Sequence, residues 1–373
     1  MTSDFAGEGR GRLGYLALET PIPGQASHTH ITEMIRQLEV LGWRVERFHA
    51  SQTGAAAGRS FARRFLDYVG VQARLVSMLR RLDAIYVRSH PAALPAVAMA
   101  RLFRCPVFQE VNGTHADLLV TYPRLRRVMG MLKWVYRYQY RHAAAVFAVT
   151  PQLAAWTRAE TGHGRVHVAP CAADTSLFTP EGPRHDIGRP YVIFIGSLVG
   201  WHDLDTLVTV QEEAEWPPGV SIVVVGDGIR RGEIEAAAKN NPSLIWLRHQ
   251  PHEAIPPILR GALAALVLIT NPAGRSDTGV LPLKLFEAMA CGVPVIVTDL
   301  PAQRELVIDE KAGIVIPAHD PKALAEAVRD LAADPERARG MGQGGAEAAR
   351  ARHDWRHSAG IVDAVIRNTL SGR

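Results

Sequence analysis

Residues Ser276–Asp299 read SDTGVLPLKLFEAMACGVPVIVTD, and this stretch sets the architecture of the second half of the chain. Pro282 suits the first turn of a helix, where a missing N–H costs nothing, and Cys291-Gly292 closes that helix ahead of a strand at Val293–Val297. The amides from Gly279 through Val280 and Leu281 to Leu283 are expected to face outward at the helix tip. With the helix dipole they make an anion site, and Gly279 lets a phosphate or sugar oxygen approach the backbone. Leu283, Phe286 and Ala290 follow helical spacing and turn inward, whereas Lys284 and Glu287 share an adjoining face. From Pro282 to Glu287 the rise is about 7 Å at roughly 1.5 Å per residue, close to the span from a pyrophosphate to its ribose. A carboxylate so placed can accept hydrogen bonds from a sugar diol while the tip holds phosphates.

The alternation of short β-branched runs with helical patterns extends over the whole chain and predicts two parallel sheets covered by helices. Strands are expected at Gly14–Leu18, Arg44–Phe48, Ala84–Val87, Val107–Val111, Ala145–Val149 and Val166–Val168, and again at Tyr191–Ile195, Ser221–Val225, Leu244–Leu247, Ala265–Leu268, Val293–Val297 and Gly313–Ile316. The fold class is α/β, with two Rossmann-like domains, residues 1–180 and 181–354, and ligands at the carboxyl ends of the strands. Thr179-Pro180-Glu181-Gly182-Pro183 has the composition of a linker, and Thr53–Gly58 that of a loop. A final helix is expected over about Trp355–Leu370, with Ile361, Val362, Val365 and Ile366 as its apolar positions.

With 373 residues, 47% apolar and 21% charged, the composition is that of a globular protein too long for one compact core. No apolar run reaches the roughly 18 residues of a membrane span and MTSDFAGEGRGR lacks a signal-peptide core, so a cytoplasmic location is expected. Cys105, Cys171 and Cys291 have no paired spacing and read as buried thiols. Residues 1–180 carry +10 and the remainder −5. The most basic stretch, Arg124–Arg141 (RLRRVMGMLKWVYRYQYR), leaves three readings open: a helix lying on acidic lipid at the inner face of a membrane, a face toward an acidic acceptor, or a solvated helix with its aromatics in the core. No nucleic-acid motif accompanies the charge.

The string PLKLFEAMACGVPVIVTD resembles the glutamate signature of family-four retaining glycosyltransferases, which have the GT-B fold and most often take nucleotide-diphosphate sugars. The resemblance implies two domains facing across a cleft, with residues 355–373 crossing back onto the first. Glu287 matches the second signature glutamate, which binds the donor ribose. The first, which contacts the transferred sugar, falls on Gly279 and is absent, leaving Asp277, Ser276 or the backbone amides to cover that role. In IFIGSLVGWHDLDTLV (Ile193–Val208) the family's diphosphate-binding arginine and lysine fall on Ser197 and His202. Lys284, one of only five lysines, is expected to replace the lost pair together with His202. Arg248 and His249 occupy the loop that lies by the nucleobase in the family. Gly24 stands where relatives have a glycine-rich loop near the phosphate or acceptor.

In VFQEVNGTHADL, Asn112-Gly113 takes the place of a histidine-glycine pair near the reacting sugar, with Glu110 or His115 as substitutes for the histidine. Arg88-Ser89-His90 is a polar cluster at a strand end, suited to acceptor or phosphate. The pair His28 and His30 lacks a third metal ligand, and Asp203-Leu204-Asp205 reads as a helix start and not a metal motif, so no metal or other cofactor is expected. Gly226-Asp227-Gly228 is only a fragment of a dinucleotide fingerprint because the next glycine, Gly232, comes one residue late, which disfavours an oxidoreductase. The resemblance implies a retaining transfer from a UDP-sugar to a glycan, lipid-linked or small-molecule acceptor, the departing diphosphate helping to deprotonate it. The alternative is a GT-B-shaped binding protein that has lost catalysis.

Overall fold

The computed structural model describes residues 10–19, 25–49, 61–115, 117–274 and 276–372; Gly24 and Thr53–Gly58 lie outside them. All twelve expected strands are present, in two parallel six-stranded sheets. The chain divides into two compact units, one running to Pro170 and resuming at Trp355, the other Cys171–Asp354. The passage between them falls earlier than the turn-rich Thr179–Pro183. Ala173 and Phe178, each 1% exposed, already belong to the core of the second unit.

The first unit contains β1 (Arg12–Ala17), α1 (Ala26–Val40), β2 (Arg44–His49), α2 (Phe61–Met78), β3 (Ala84–Arg88), α3 (Leu94–Leu102), β4 (Val107–Val111), α4 (Asp117–Thr121), α5 (Met129–Arg141), β5 (Ala145–Ala148), α6 (Pro151–Thr161) and β6 (Val166–Val168). Its strand order is β2-β1-β3-β4-β5-β6. The second contains β7 (Tyr191–Ile195), α7 (Leu204–Thr209), β8 (Ser221–Val225), α8 (Arg231–Asn240), β9 (Leu244–Trp246), α9 (Ile255–Gly261), β10 (Ala264–Val267), α10 (Leu283–Ala290), β11 (Val295–Thr298), α11 (Gln303–Asp309), β12 (Gly313–Ile316), α12 (Pro321–Ala333) and α13 (Pro335–Arg352), in the order β12-β11-β10-β7-β8-β9.

The second sheet is buried on both faces, as parallel sheets are. Ile193, Val223, Val225, Ala265 and Val295 meet Phe286 and Met289 of α10 on one side. The alternate residues Val192, Phe194, Val224, Leu266 and Ile296 meet Leu207 and Leu324 on the other. β11 starts two residues later than expected for a local reason. The Gly292 N–H, at φ +70°, bonds to the Met289 carbonyl and the Val293 N–H to that of Ala288, while Pro294 has no N–H, so the ladder opens at Val295.

The last helix, α14 (Trp355–Ser371), packs on α1 within the first unit. The Trp355 ring meets the His30 ring edge-on at 4.9 Å, the Trp43 indole N–H donates to Asp363 at 2.9 Å, and Arg10 pairs with the same buried carboxylate. Such bonds to a charged acceptor stabilise by about 1.5–3 kcal/mol each.

Candidate functional site

At the carboxyl edge of the second sheet, β7 turns at Gly196 (φ +147°) and β8 at Gly226 (φ +143°). The two turns touch. A Cβ on Gly226 would fall 1.9 Å from the Gly196 carbonyl oxygen, and one on Gly228 would fall 2.3 Å from that of Leu198. Close loop packing therefore accounts for the Gly-Asp-Gly turn without a dinucleotide.

A lysine–histidine pair lies against Gly196. Lys284 Nζ is 3.1 Å from His202 Nε2 and 4.3 Å from the centroid of the Phe194 ring. His202 Nδ1 is 2.6 Å from the Ser197 carbonyl oxygen, which can only accept, so Nδ1 carries the proton and Nε2 offers its lone pair to the ammonium. A Cβ on Gly196 would stand 3.0 Å from Lys284 Nζ and 3.4 Å from the His202 ring, so only glycine leaves this side of the pair open. Burial brings the Lys284 ammonium down to about 7, against the opposing pull of Glu287. Ser197 contributes its carbonyl; the residue itself is exposed.

The tip of α10 departs from expectation in two respects. Pro282 is extended and sits at the N-cap, so Leu283 opens the helix. Two of the expected free amides are occupied: Gly279 N–H donates to Ser276 and Val280 N–H to Pro301, each at 3.0 Å. Among the described residues, the N–H groups of Leu281, Leu283 and Lys284 make no such backbone bond and keep the tip's donor character. Gly279 has φ +82°, a conformation that disfavours a side chain.

One turn beyond Lys284, Glu287 is 8% exposed, and its Oε1 accepts from His252 Nε2 at 3.0 Å. His252 in turn lies against Phe178, ring centroids 5.0 Å apart. Sequence reading stopped at Arg248 and His249 and missed His252, three positions further on. Arg248 takes φ +57° with its guanidinium 4.5 Å over the Trp246 ring, and both Arg248 and His249 are exposed. Ser276 is committed to the loop, with Oγ donating to Thr270 and N–H to Asn271, so it cannot stand in for the absent glutamate. Asp277 accepts from Asn271 at 2.7 Å but stays exposed. Asp203 caps α7 and holds His319, and Asp205 pairs with Arg230. Among the described residues no three of His, Cys, Asp and Glu converge. Cys105 and Cys291 are buried as expected, and Cys171 is half-buried.

The first unit gathers a separate polar cluster at the ends of β3 and β4. Glu110, 2% exposed, accepts from Tyr86, Arg88 and Asn112, each at 2.7 Å, and His30 lies 3.0 Å away. Burial alone would raise this carboxyl, but His30 and Arg88 outweigh it and hold it well below the usual carboxylate range. Arg88 also pairs with Glu19. Two sequence expectations change as a result. Glu110 stays ionised and fully bonded, so it organises the strand ends and carries no proton; Arg88 is neutralised by two carboxylates and is not a phosphate contact. Ser89 bonds to Tyr140, and the His90 ring accepts from Ala92. His30 turns inward to this cluster, away from any metal role. Asn112 remains exposed beside it. His115 is half-buried 5.5 Å from the Trp156 ring, its pKa lowered by burial and Lys133.

The comparisons agree with this fold. Residues 179–348 match the family described as Glycosyl transferases group 1, and residues 27–177 the one described as Glycosyltransferase Family 4. The alpha-maltose-1-phosphate synthase of Mycolicibacterium smegmatis is 28% identical over 61% of this chain and 63% of its own length. From the same organism, a GDP-mannose-dependent phosphatidylinositol monomannoside mannosyltransferase is 31% identical over 55% of this chain and 56% of its own. The chain thus spans a little over half the length of these relatives. In fold it is similar to sucrose-phosphate synthase from Thermosynechococcus elongatus (TM-score 0.77, 17% identity, 98% of this chain and 100% of that one) and to Anabaena HepE in complex with UDP (TM-score 0.72, 15% identity, 97% and 100%). A family-four model over the first half and a group 1 model over the second together support a glycosyltransferase of the family-four type.

Proposed function

We propose that the chain transfers a sugar, with retention of configuration, from a nucleotide-diphosphate sugar held in the second unit. The Lys284–His202 pair, open past Gly196 at the first turn of α10, carries this reading. The pair and the amides of Leu281, Leu283 and Lys284 receive the diphosphate in place of the family's arginine and lysine, without a metal. Glu287, oriented by His252, accepts from the ribose diol, and Arg248 and His249 flank the base. Asn112 and His115 are the acceptor-side candidates in the first unit. UDP is the preferred nucleotide because Anabaena HepE, similar in fold over nearly the whole chain, holds it in its complex; GDP is the competitor that the mannosyltransferase relative supplies.

Calorimetry with UDP, GDP, ADP and NAD tests the donor site, and a donor screen followed by mass spectrometry for released diphosphate tests transfer. Binding of UDP or GDP with donor turnover is expected. NAD binding without either, or no nucleotide binding at all, would overturn the reading. Gly279 in place of a glutamate favours one second reading, a GT-B-like protein that binds and does not transfer. Nucleotide binding with no turnover of any donor would select it.

A further inference from the structure

Between Asp117 and Glu160 the chain has no carboxylate and seven cations: Arg124, Arg126, Arg127, Lys133, Arg137, Arg141 and Arg158. The aromatics interleaved with them divide into two sets. Leu132, Val135, Tyr136 and Tyr140 form the buried face of α5, while Trp134 is 58% exposed, Met131 60%, Val128 40% and Tyr122 46%. A second exposed row lies on α2, where Phe65, Leu66 and Val69 are 58%, 66% and 46% exposed. The Arg64 guanidinium of α2 lies within reach of the Tyr122 and Tyr68 hydroxyls, which places the start of α2 beside the segment that precedes α5. Of the twelve large apolar side chains exposed among the described residues, seven are on these two segments, so the apolar exposure is concentrated there.

We propose that this face of the first unit docks on an anionic lipid bilayer, with Trp134, Met131, Leu66 and Phe65 entering the headgroup boundary and Arg124, Arg126 and Arg127 meeting lipid phosphates. The proposal concerns the first unit and does not depend on the donor reading. Charge decides among occupants. Two copies of the same basic face repel one another, and a nucleic acid would satisfy the arginines but leave Leu66, Val69 and Met131 facing phosphates and sugars. An anionic bilayer satisfies both sets at once. No helix among the described residues is long and apolar enough to cross a membrane, so the mode is lying on the surface.

The test is flotation of the full chain with vesicles of phosphatidylcholine alone or mixed with phosphatidylglycerol. Binding is expected only to the mixed vesicles, weakening as salt rises. Each of Arg124→Ser, Arg126→Ser and Arg127→Ser should lower vesicle affinity roughly fivefold. The double variant Met131→Ser, Trp134→Ser should lower it at least about tenfold and remove the salt-resistant fraction. The circular-dichroism spectrum and the unfolding transition of the first unit serve as fold controls. The proposal is overturned by equal or absent binding to the two vesicle types, or by unchanged affinity in folded variants. A solution dimer that Trp134→Ser dissociates would assign the face to self-association and overturn it as well.

Discussion

Lys284 offers the sharpest test of the donor site, because burial has moved its ammonium from 10.5 to about 7 and a bound diphosphate reverses the cause. With the pair empty at pH 7.5, about three-quarters of the lysines are neutral; with the anion bound, nearly all are charged. Binding should therefore take up about 0.75 proton at pH 7.5, roughly 0.1 at pH 6 and about 0.9 at pH 8. Integrated from pH 6 to 9, this weakens affinity by roughly a hundredfold. A nucleotide sugar is the right probe because it lacks the terminal phosphate ionisation near pH 6 that would run in the opposite direction. Calorimetric titration with UDP-glucose in buffers of different ionisation enthalpy reads the proton count from the slope of the observed heat. Lys284→Met should bind weakly and take up none. The same substitution should raise the melting temperature, more at pH 6 than at pH 9. Below pH 7 the folded state buries a charge, whereas between 7 and 10.5 it has released a proton that the unfolded chain still holds, so wild-type stability rises with pH across that window. Zero uptake by the wild type, or undiminished uptake by Lys284→Met, would refute the assignment.

Glu287→Gln should reduce UDP affinity about 10- to 100-fold through loss of a charged acceptor, and should also erase the preference for UDP over 2′-deoxy-UDP, measured by competition calorimetry. Gly196→Ala should lower both the melting temperature and donor affinity, since the left-handed backbone is strained by a side chain whose Cβ also presses on Lys284; unchanged UDP affinity would show that the lysine–histidine pair is not approached from that side. Glu110→Gln should destabilise the first unit by about 3–5 kcal/mol by leaving Arg88 with half its counterions, seen as an early melting transition with UDP binding intact. Gly279→Glu, which restores the signature residue, should lower stability by about 1–2 kcal/mol at φ +82° and leave transfer no faster; a faster enzyme would mean that the loop readjusts freely.

Most of the fold was legible because each strand is a short β-branched run between helical patterns, a signal local to the chain. The placing of Lys284 and Glu287 on one face of α10 followed from helical period alone, and the pairing of Lys284 with His202 from the loss of two expected cations. What escaped was set by contacts distant in sequence. His252 reaches Glu287 across 35 positions, and nothing in HQPHEA marks it above His249. His30 looked like half of a histidine pair until β4 brought Glu110 beneath it. The Val280 amide was counted as free because the carbonyl that takes it, Pro301, follows the next strand. In the basic stretch the helical period was present, but only packing could show that Tyr136 and Tyr140 are core while Trp134 is not.

A lysine and a histidine sharing one proton are not simply a weaker copy of a fixed arginine and lysine. Arginine stays charged whatever it faces, so it binds a donor and a departing diphosphate with the same cation. The Lys284–His202 pair carries a charge that depends on its surroundings, because burial opposes the proton and an anion restores it. In the transfer proposed above, negative charge on the diphosphate grows as the bond to the sugar breaks. With the donor bound the pair already carries its proton, so it meets that growth as a desolvated cation, and the attraction is stronger in the transition state than in the ground state. The same attraction tightens the hold on the free diphosphate product. A chain that has exchanged two fixed cations for one movable proton should therefore show product inhibition that deepens as pH falls toward 7, the signature that separates this arrangement from a site that has merely lost charge.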